Sequence, residues 1–140
     1  MFAALDTNHF REVALGSDHA AVMERRATEA RLELFTTIIT VQEATAGWLA
    51  LINRLTAGRE QIRAYERFQA TITAFSKFDI LPFDEDAANH FHRLQSARVR
   101  IGTMDLKIAS ICLAHDATLL TRNLVDFEKV PGLRVENWMD

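Results

Sequence analysis

Three acids, Asp6, Glu43 and Asp105, lie far apart in a chain of 140 residues, each where an apolar run meets a helix-like pattern. Asn123 and Asp126 follow a further apolar run, "ATLLT". Ionised carboxylates brought side by side repel: each raises the pKa of the next, and the cluster costs stability. A divalent cation removes that conflict. Oxygen-only donors suit Mg²⁺ or Mn²⁺, which keep several waters while taking one or two carboxylates directly. No Cys/His spacing offers a zinc site instead. His9, His19, His90, His92 and His115 are scattered and read as packing or surface residues.

Each acid also has a local explanation. "TVQE" matches a capping box, with Thr40 as N-cap and Glu43 reaching back to it. Asp105 near a helix start suits the helix dipole, with Thr103 as cap. Asp6 can cap a helix beginning near Asn8, and Asp126 can be a solvated loop acid. Taken singly, the local explanations suffice. Together they leave unexplained why so many separate segments would deliver an acid or amide to one place.

The surrounding elements supply that place. "MFAAL" reads as a buried strand that stops at Asp6, and "LELFTTIIT", Leu32 to Thr40, reads as a second strand rich in β-branched residues. Helical spacing marks "DHAAVMERRATEARL", "VQEATAGWLALINRL" and "REQIRAYERFQATITAFSKF"; the last two form a helical hairpin, with Gly58 as the stop between them. "DILPF" is a short strand, and "DEDAANHFHRLQSARV" opens with acids as a helix N-terminus should. Ile108, Ala109, Ile111, Cys112 and Leu113 go almost all the way round the next helix, which must then be packed on several sides. "ATLLT" and "LRVENW" complete the set of strands. Alternation of strands and helices predicts an α/β fold: a mostly parallel sheet with helices on both faces. Ligands of such folds bind at the carboxyl ends of the strands, where Asp6, Glu43, Asp105, Asn123 and Asp126 all fall.

Bulk properties agree. The length predicts one domain, residues 1–140, with enough chain for a real core. Hydrophobic residues make up 49% and charged residues 25%, as in a globular protein. A net charge of −3 neither announces nor excludes a nucleic-acid partner, since gathered acids can mask basic patches. The single cysteine rules out an internal disulfide. No apolar run approaches the ~20 residues of a membrane span, and "MFAALDTNHF" lacks the basic and long apolar regions of a signal peptide. A cytoplasmic location without membrane association is expected.

The stretches "LDTN", "TVQEATAG", "GTMDLKIASICLAH" and "ATLLTRNLVDFEKVPGL" together resemble a PIN domain, and more narrowly the VapC-type ribonuclease toxins of bacterial toxin–antitoxin pairs. The resemblance runs from Leu5 to about Val135, in the family's order and spacing. It implies a metal-dependent endoribonuclease that leaves a 5′-phosphate, with Asp6, Glu43 and Asp105 as its three core acids. Asn8 matches the amide of the first motif, Thr103 the hydroxyl residue before the third acid, and Thr121 the Thr ending the fourth strand. The family's fourth acid would fall near Asn123. Here an amide stands there, with Asp126 three residues on.

In this reading Asp6 and Asp105 ligate Mg²⁺ or Mn²⁺ directly or through water, and Glu43 ligates it or positions the attacking water. Asn8, Thr103, Thr121 and Asn123 support the site by hydrogen bonding, and Asp126 restores the missing charge. Arg98, Arg100 and Arg122 stand near the acids in sequence and read equally as phosphate contacts or as ordinary surface residues. Arg25 and Arg26, with Glu24 and Glu29 nearby, read as a solvated face. The resemblance further implies an RNA substrate, a cognate antitoxin covering the site, and a homodimer. Trp48, Leu49, Leu51, Tyr65 and Phe68 can form the antitoxin's groove or plain core, and most of them read as core. Two other classes remain: a non-catalytic interaction module on the same fold, and a receiver-like phosphoacceptor. The latter would need paired acids after the first strand, which "DTN" lacks.

Overall fold

The computed structural model describes residues 1–139. Asp140, the end of the expected unit, lies outside the described residues. The chain runs β1 (Phe2–Leu5), α1 (Thr7–Leu15), α2 (Asp18–Ala30), β2 (Glu33–Thr37), α3 (Ile38–Arg54), a 3₁₀ turn (Arg59–Gln61), α4 (Ile62–Phe75), β3 (Ile80–Leu81), α5 (Glu85–Ser96), α6 (Thr103–Ala114), β4 (Thr118–Leu120), α7 (Leu124–Phe127) and β5 (Val135–Glu136). The strands form one sheet in the order β3-β2-β1-β4-β5. Every pairing is parallel, so the expected α/β architecture is observed.

Successive strand residues face opposite sides of the sheet, and the core divides accordingly. Ala4 and Leu119 join Leu94, Leu106, Ile108, Ile111 and Phe127 under α5, α6 and α7. Ala3, Leu5 and Leu120 join Phe10, Met23 and Phe75 under α1, α2 and α4. Ile108, Ile111 and Cys112 are fully buried, as the all-round apolar pattern of α6 requires. On the opposite face Phe10 stacks on Phe75 at 4.0 Å, tying α1 to α4.

β1 is central, and the chain steps outward from it to β2 and β3 before crossing back to β4 on its other side. That reversal puts a crevice at the carboxyl ends of β1 and β4, the place where open parallel sheets bind ligands.

Several element boundaries differ from those expected. β2 ends at Thr37, three residues short of Thr40, and α3 starts at Ile38. Thr37 enforces the switch: its Oγ1 accepts from the Thr40 amide at 3.0 Å, capping α3. The β-branched Ile38, Ile39 and Thr40 therefore belong to the helix, because a cap outweighs their modest β preference. The proposed box with Thr40 as N-cap and Glu43 at its third position does not exist. Thr103 is likewise no cap, since Gly102 holds that position at α6. Nor does Gly58 stop α3, which ends at Arg54; Gly58, at φ 106°, leads into the 3₁₀ turn. Arg26 is more than solvated: its guanidinium lies 4.6 Å from the centre of the Trp138 ring.

Candidate active site at the carboxyl edge of the sheet

Strand register brings the first two site residues together. Leu5 pairs with Leu120, and the Asp6 amide extends the ladder by donating to the Leu120 carbonyl at 3.0 Å. Asp6 and Thr121 thus leave the sheet side by side. The Thr121 hydroxyl donates to Asp6 Oδ2 at 2.7 Å, and Asp6 Oδ1 accepts from the Thr7 amide at 2.6 Å while capping α1. The capping and site readings of Asp6 are compatible, because each engages a different oxygen. Thr121 is itself buried and accepts from the Asn123 amide at 3.1 Å.

Glu43 lies in the second turn of α3, too far from Thr37 to serve its cap. It is half-buried, and its pKa is raised first by burial, then by the charge of Asp6, then by that of Asp105. Asp105 is the third residue of α6 and is also half-buried. Burial raises its pKa most, followed by the charges of Asp6 and Asp126. Four acids from four segments therefore share one field, and for two of them the carboxylate is the disfavoured form.

Asp126 differs. Its pKa is lowered, first by the Asn123 side chain and then by Lys129. Asn123 Nδ2 donates to Asp126 Oδ2 at 3.0 Å, and Lys129 Nζ donates to Oδ1 at 3.2 Å. Asn123 and Asp126 do share a face of the helical turn, as their spacing suggests. Lys129 becomes a neighbour of Asp126 only through the fold. The four-residue α7 is too short to announce itself by periodicity, so the pairing of positions 126 and 129 was hidden.

Asn8 and Thr103 are exposed in the first turns of α1 and α6, beside Asp6 and Asp105. Arg98, Arg100 and Arg122 are exposed too. Arg98 adopts a left-handed backbone, φ 59°, just past α5, so it has a structural part in ending that helix. Cys112 is no nucleophile: complete burial, with the charge of Asp6 adding to it, pushes its thiol up to about 12. His9 is buried and accepts from the Trp138 amide at 3.0 Å, a packing role. Among the proposed groove residues, Leu49 and Tyr65 are exposed rather than core, and Trp48, Leu51 and Phe68 are half-buried.

The donor set fits a hard divalent cation. It is all oxygen, and its mutual repulsion is what bound positive charge relieves. Among the described residues, no three Asp, Glu, His or Cys side chains stand close enough to surround one ion directly. The carboxylates meet through their fields, an arrangement that suits a cation retaining several of its waters.

The family model of the PIN domain matches residues 3–133. The chain is 34% identical over 86 residues to the tRNA(fMet)-specific endonuclease VapC of Salmonella typhimurium, covering 58% of this chain and 65% of that protein. It is 30% identical over 93 residues to Ribonuclease VapC2 of Rickettsia felis, covering 63% and 69% respectively. The matched region thus spans about two thirds of the length of these relatives. The fold is similar to that of VapBC2 from Rickettsia felis bound to a promoter DNA fragment, with a TM-score of 0.74 at 22% identity over 99% of both chains. It is also similar to DNA-bound VapBC from Salmonella typhimurium, with a TM-score of 0.71 at 23% identity and the same coverage.

Proposed function

This chain belongs to the PIN domain family, and from that premise we propose that it is a metal-dependent endoribonuclease, the toxin of a toxin–antitoxin pair. The observation that carries the proposal is the convergence of Asp6, Glu43 and Asp105 at the crevice between β1 and β4, with Thr121 holding Asp6. The curated relatives named as ribonucleases support the choice of reaction.

Asp6 and Asp105 would hold Mg²⁺ or Mn²⁺, directly or through its waters, with Glu43 reaching it through water or orienting the attacking water. When bound, the cation supplies Lewis acidity toward a phosphoryl oxygen and a lowered pKa for bound water. The chain's own residues do the positioning. Thr121 and the Thr7 amide fix both oxygens of Asp6, so the carboxylate is oriented before substrate arrives. Glu43, whose pKa is raised, can accept a proton from a neighbouring water at lower cost than an ordinary carboxylate. Asn8 and Thr103 stand at the rim as hydrogen-bond donors to a phosphate, and Arg98, Arg100 and Arg122 add positive charge. Asn123 serves the site by orienting Asp126. An antitoxin, a homodimeric assembly and a cytoplasmic location belong to the same proposal. The similar solved structures are VapBC complexes, and among the described residues no helix is long and apolar enough to cross a membrane.

The test is cleavage of single-stranded RNA by the purified chain with Mg²⁺, Mn²⁺ or a chelator, alongside Asp105→Asn. Metal-dependent cleavage with 5′-phosphate ends, lost in the variant, is expected. A folded wild-type chain that cleaves no RNA with either metal would return the choice to a non-catalytic module.

A further inference from the structure

The helix that starts at Asp6 is held in its first turn by a segment 129 residues away. At the end of β5 the Glu136 carbonyl accepts from the Thr121 amide at 3.0 Å. Two residues on, the Trp138 amide donates to His9 Nε2, also at 3.0 Å. In that short span the chain passes from the outer side of β4 to α1. The contacts close a ring around one carboxylate. Asp6 Oδ2 accepts from the Thr121 hydroxyl, Thr121 donates its amide to Glu136, Trp138 donates to His9, and His9 is the third residue of the helix that Asp6 caps.

The link between His9 and Trp138 is firm. Both residues are buried, so water does not compete for the bond, and a donor left unmet there is costly. The Trp138 ring packs in the same core as Phe10, the Arg26 guanidinium of α2 lies 4.6 Å from its centre, and its indole N–H donates to Glu136 Oε1 at 3.4 Å. Position 138 therefore cannot slide. The first turn of α1 has less to hold it. The leading amides of a helix have no partner within the helix, Asn8 is exposed, and His9 is the first buried side chain of α1. The Thr7 amide reaches Asp6 Oδ1, at 2.6 Å, only while that turn is formed.

We propose that His9 is a positioning residue of the site. Clamped by the Trp138 amide, it fixes the first turn of α1 and with it the Thr7 amide that holds Asp6 Oδ1. Thr121 secures the other oxygen from β4, so the carboxylate is oriented by two elements that residues 136–138 tie together. The inference rests on the reading of Asp6 as a cation ligand. Such a ligand tolerates displacement of only about 0.5 Å, and a first turn free to fray would not present Asp6 in one orientation. Trp138 acts through its backbone, and its side chain seats that amide.

The experiment compares His9→Leu, which fills the space without an acceptor, with His9→Gln, whose amide oxygen falls near the place of Nε2. Two quantities are measured on the full chain: hydrogen exchange of the Thr7 amide by NMR without metal, and Mg²⁺ affinity by calorimetry. In His9→Leu the Thr7 amide should lose protection while the amides of β1 and β4 keep theirs, and Mg²⁺ affinity should fall about tenfold, as when a group that orients a ligand is removed. His9→Gln should recover both. Should the leucine variant fail to fold, His9→Asn, whose shorter amide stops short of the Trp138 N–H, takes its place. A merely structural His9 would lower the melting temperature and leave the Mg²⁺ affinity of the folded chain unchanged, which overturns the proposal. So does a glutamine variant as impaired as the leucine one, since packing and not the hydrogen bond would then be the cause. If wild type binds no Mg²⁺, the cation reading falls, and Thr7 exchange in the two variants still decides whether His9 fixes the turn. If wild type binds Mg²⁺ but cleaves no RNA while the variants behave as described, the nuclease reading falls and the role of His9 stands.

Discussion

The Thr121 hydroxyl donates to Asp6 Oδ2 at 2.7 Å, joining residues 115 positions apart at the ends of two neighbouring strands. Parallel pairing of Leu5 with Leu120 makes the contact obligatory, since the next residue of each strand must emerge at the same edge. The sheet register is thereby converted into the orientation of a single carboxylate. Its other oxygen is held by the Thr7 amide, so Asp6 can turn little once α1 and β4 are in place.

Thr121→Val keeps the shape of the side chain and removes the donor. Hydrogen bonds to charged groups contribute roughly 1.5–3 kcal/mol, so a modest loss of stability is expected. Loss of groups that orient a ligand typically costs about 10–100-fold in metal affinity or activity. Metal titration and RNA cleavage should fall in that range, and Thr121→Ser should recover most of both. Wild-type metal affinity in a folded Thr121→Val chain would remove Asp6 orientation from the mechanism.

Asp105→Asn separates stability from activity. The ionised Asp105 is disfavoured in the folded state by burial and by the charges of Asp6 and Asp126. Its place in the first turn of α6 favours the charge through the dipole, by about 0.3–1 kcal/mol, but the net shift is upward, so burial and repulsion win. In chelator at neutral pH the variant should melt higher than wild type while losing metal binding and cleavage. A lower melting temperature together with intact cleavage would make Asp105 a helix-start residue and nothing more.

How far the sequence alone reaches is visible in these residues. The edge shared by Asp6, Glu43 and Asp105 was legible from the alternation of strands and helices: Asp6 ends β1, Glu43 follows β2, and Asp105 comes to the same edge at the start of α6, the helix that leads into β4. Thr121 was legible only through the resemblance, as the Thr that ends the fourth strand; its contact with Asp6 needed the register of β1 on β4. The end of β2 was not, because Ile38, Ile39 and Thr40 continue the β-branched run and only the hydroxyl geometry of Thr37 decides the break. Leu49 and Tyr65 keep the spacing of buried residues yet face solvent: periodicity identifies a face without saying what covers it.

Metal-free stability should fall as pH rises above the ordinary carboxylate range. Glu43 and Asp105 have raised pKa values. Between the unfolded and folded values the native state binds more protons than the unfolded one, so stability declines as pH climbs through that window and levels off above it. Glu12 and Asp126 have lowered values and act in the opposite sense. The informative quantity is therefore the difference between wild type and a chain carrying Glu43→Gln and Asp105→Asn. Thermal melts in chelator across the window should show that difference growing with pH in favour of the variant. Saturating Mg²⁺ should raise the wild-type melting temperature by mass action, with metal affinity increasing with pH as bound protons are released. Melts with no pH-dependent difference would show that the acids do not interact strongly enough to form a cation site.

The last prediction concerns Lys129, which sets how much of the Asp126 charge reaches the crevice. Asp126 is held at both oxygens, by Asn123 Nδ2 at 3.0 Å and by Lys129 Nζ at 3.2 Å, yet its charge still contributes to raising the pKa of Asp105. A carboxylate facing a lysine on the surface offers a cation less than a bare one does, and screening by water and salt weakens such a pair further. If Asp126 supplies the charge that the amide at position 123 lacks, its influence runs through the field, and Lys129 opposes it. Lys129→Ala should then tighten Mg²⁺ binding, while Asp126→Asn should weaken it by less than Asp105→Asn does. Asn123→Asp should tighten binding as well, by placing a second carboxylate beside Asp126, and should destabilise the metal-free chain through their repulsion. Calorimetric titrations of the three variants at low ionic strength, repeated at high salt, give the comparison. Identical affinities for wild type, Asp126→Asn and Lys129→Ala would assign Asp126 to the surface of α7, leaving the site to Asp6, Glu43 and Asp105 alone.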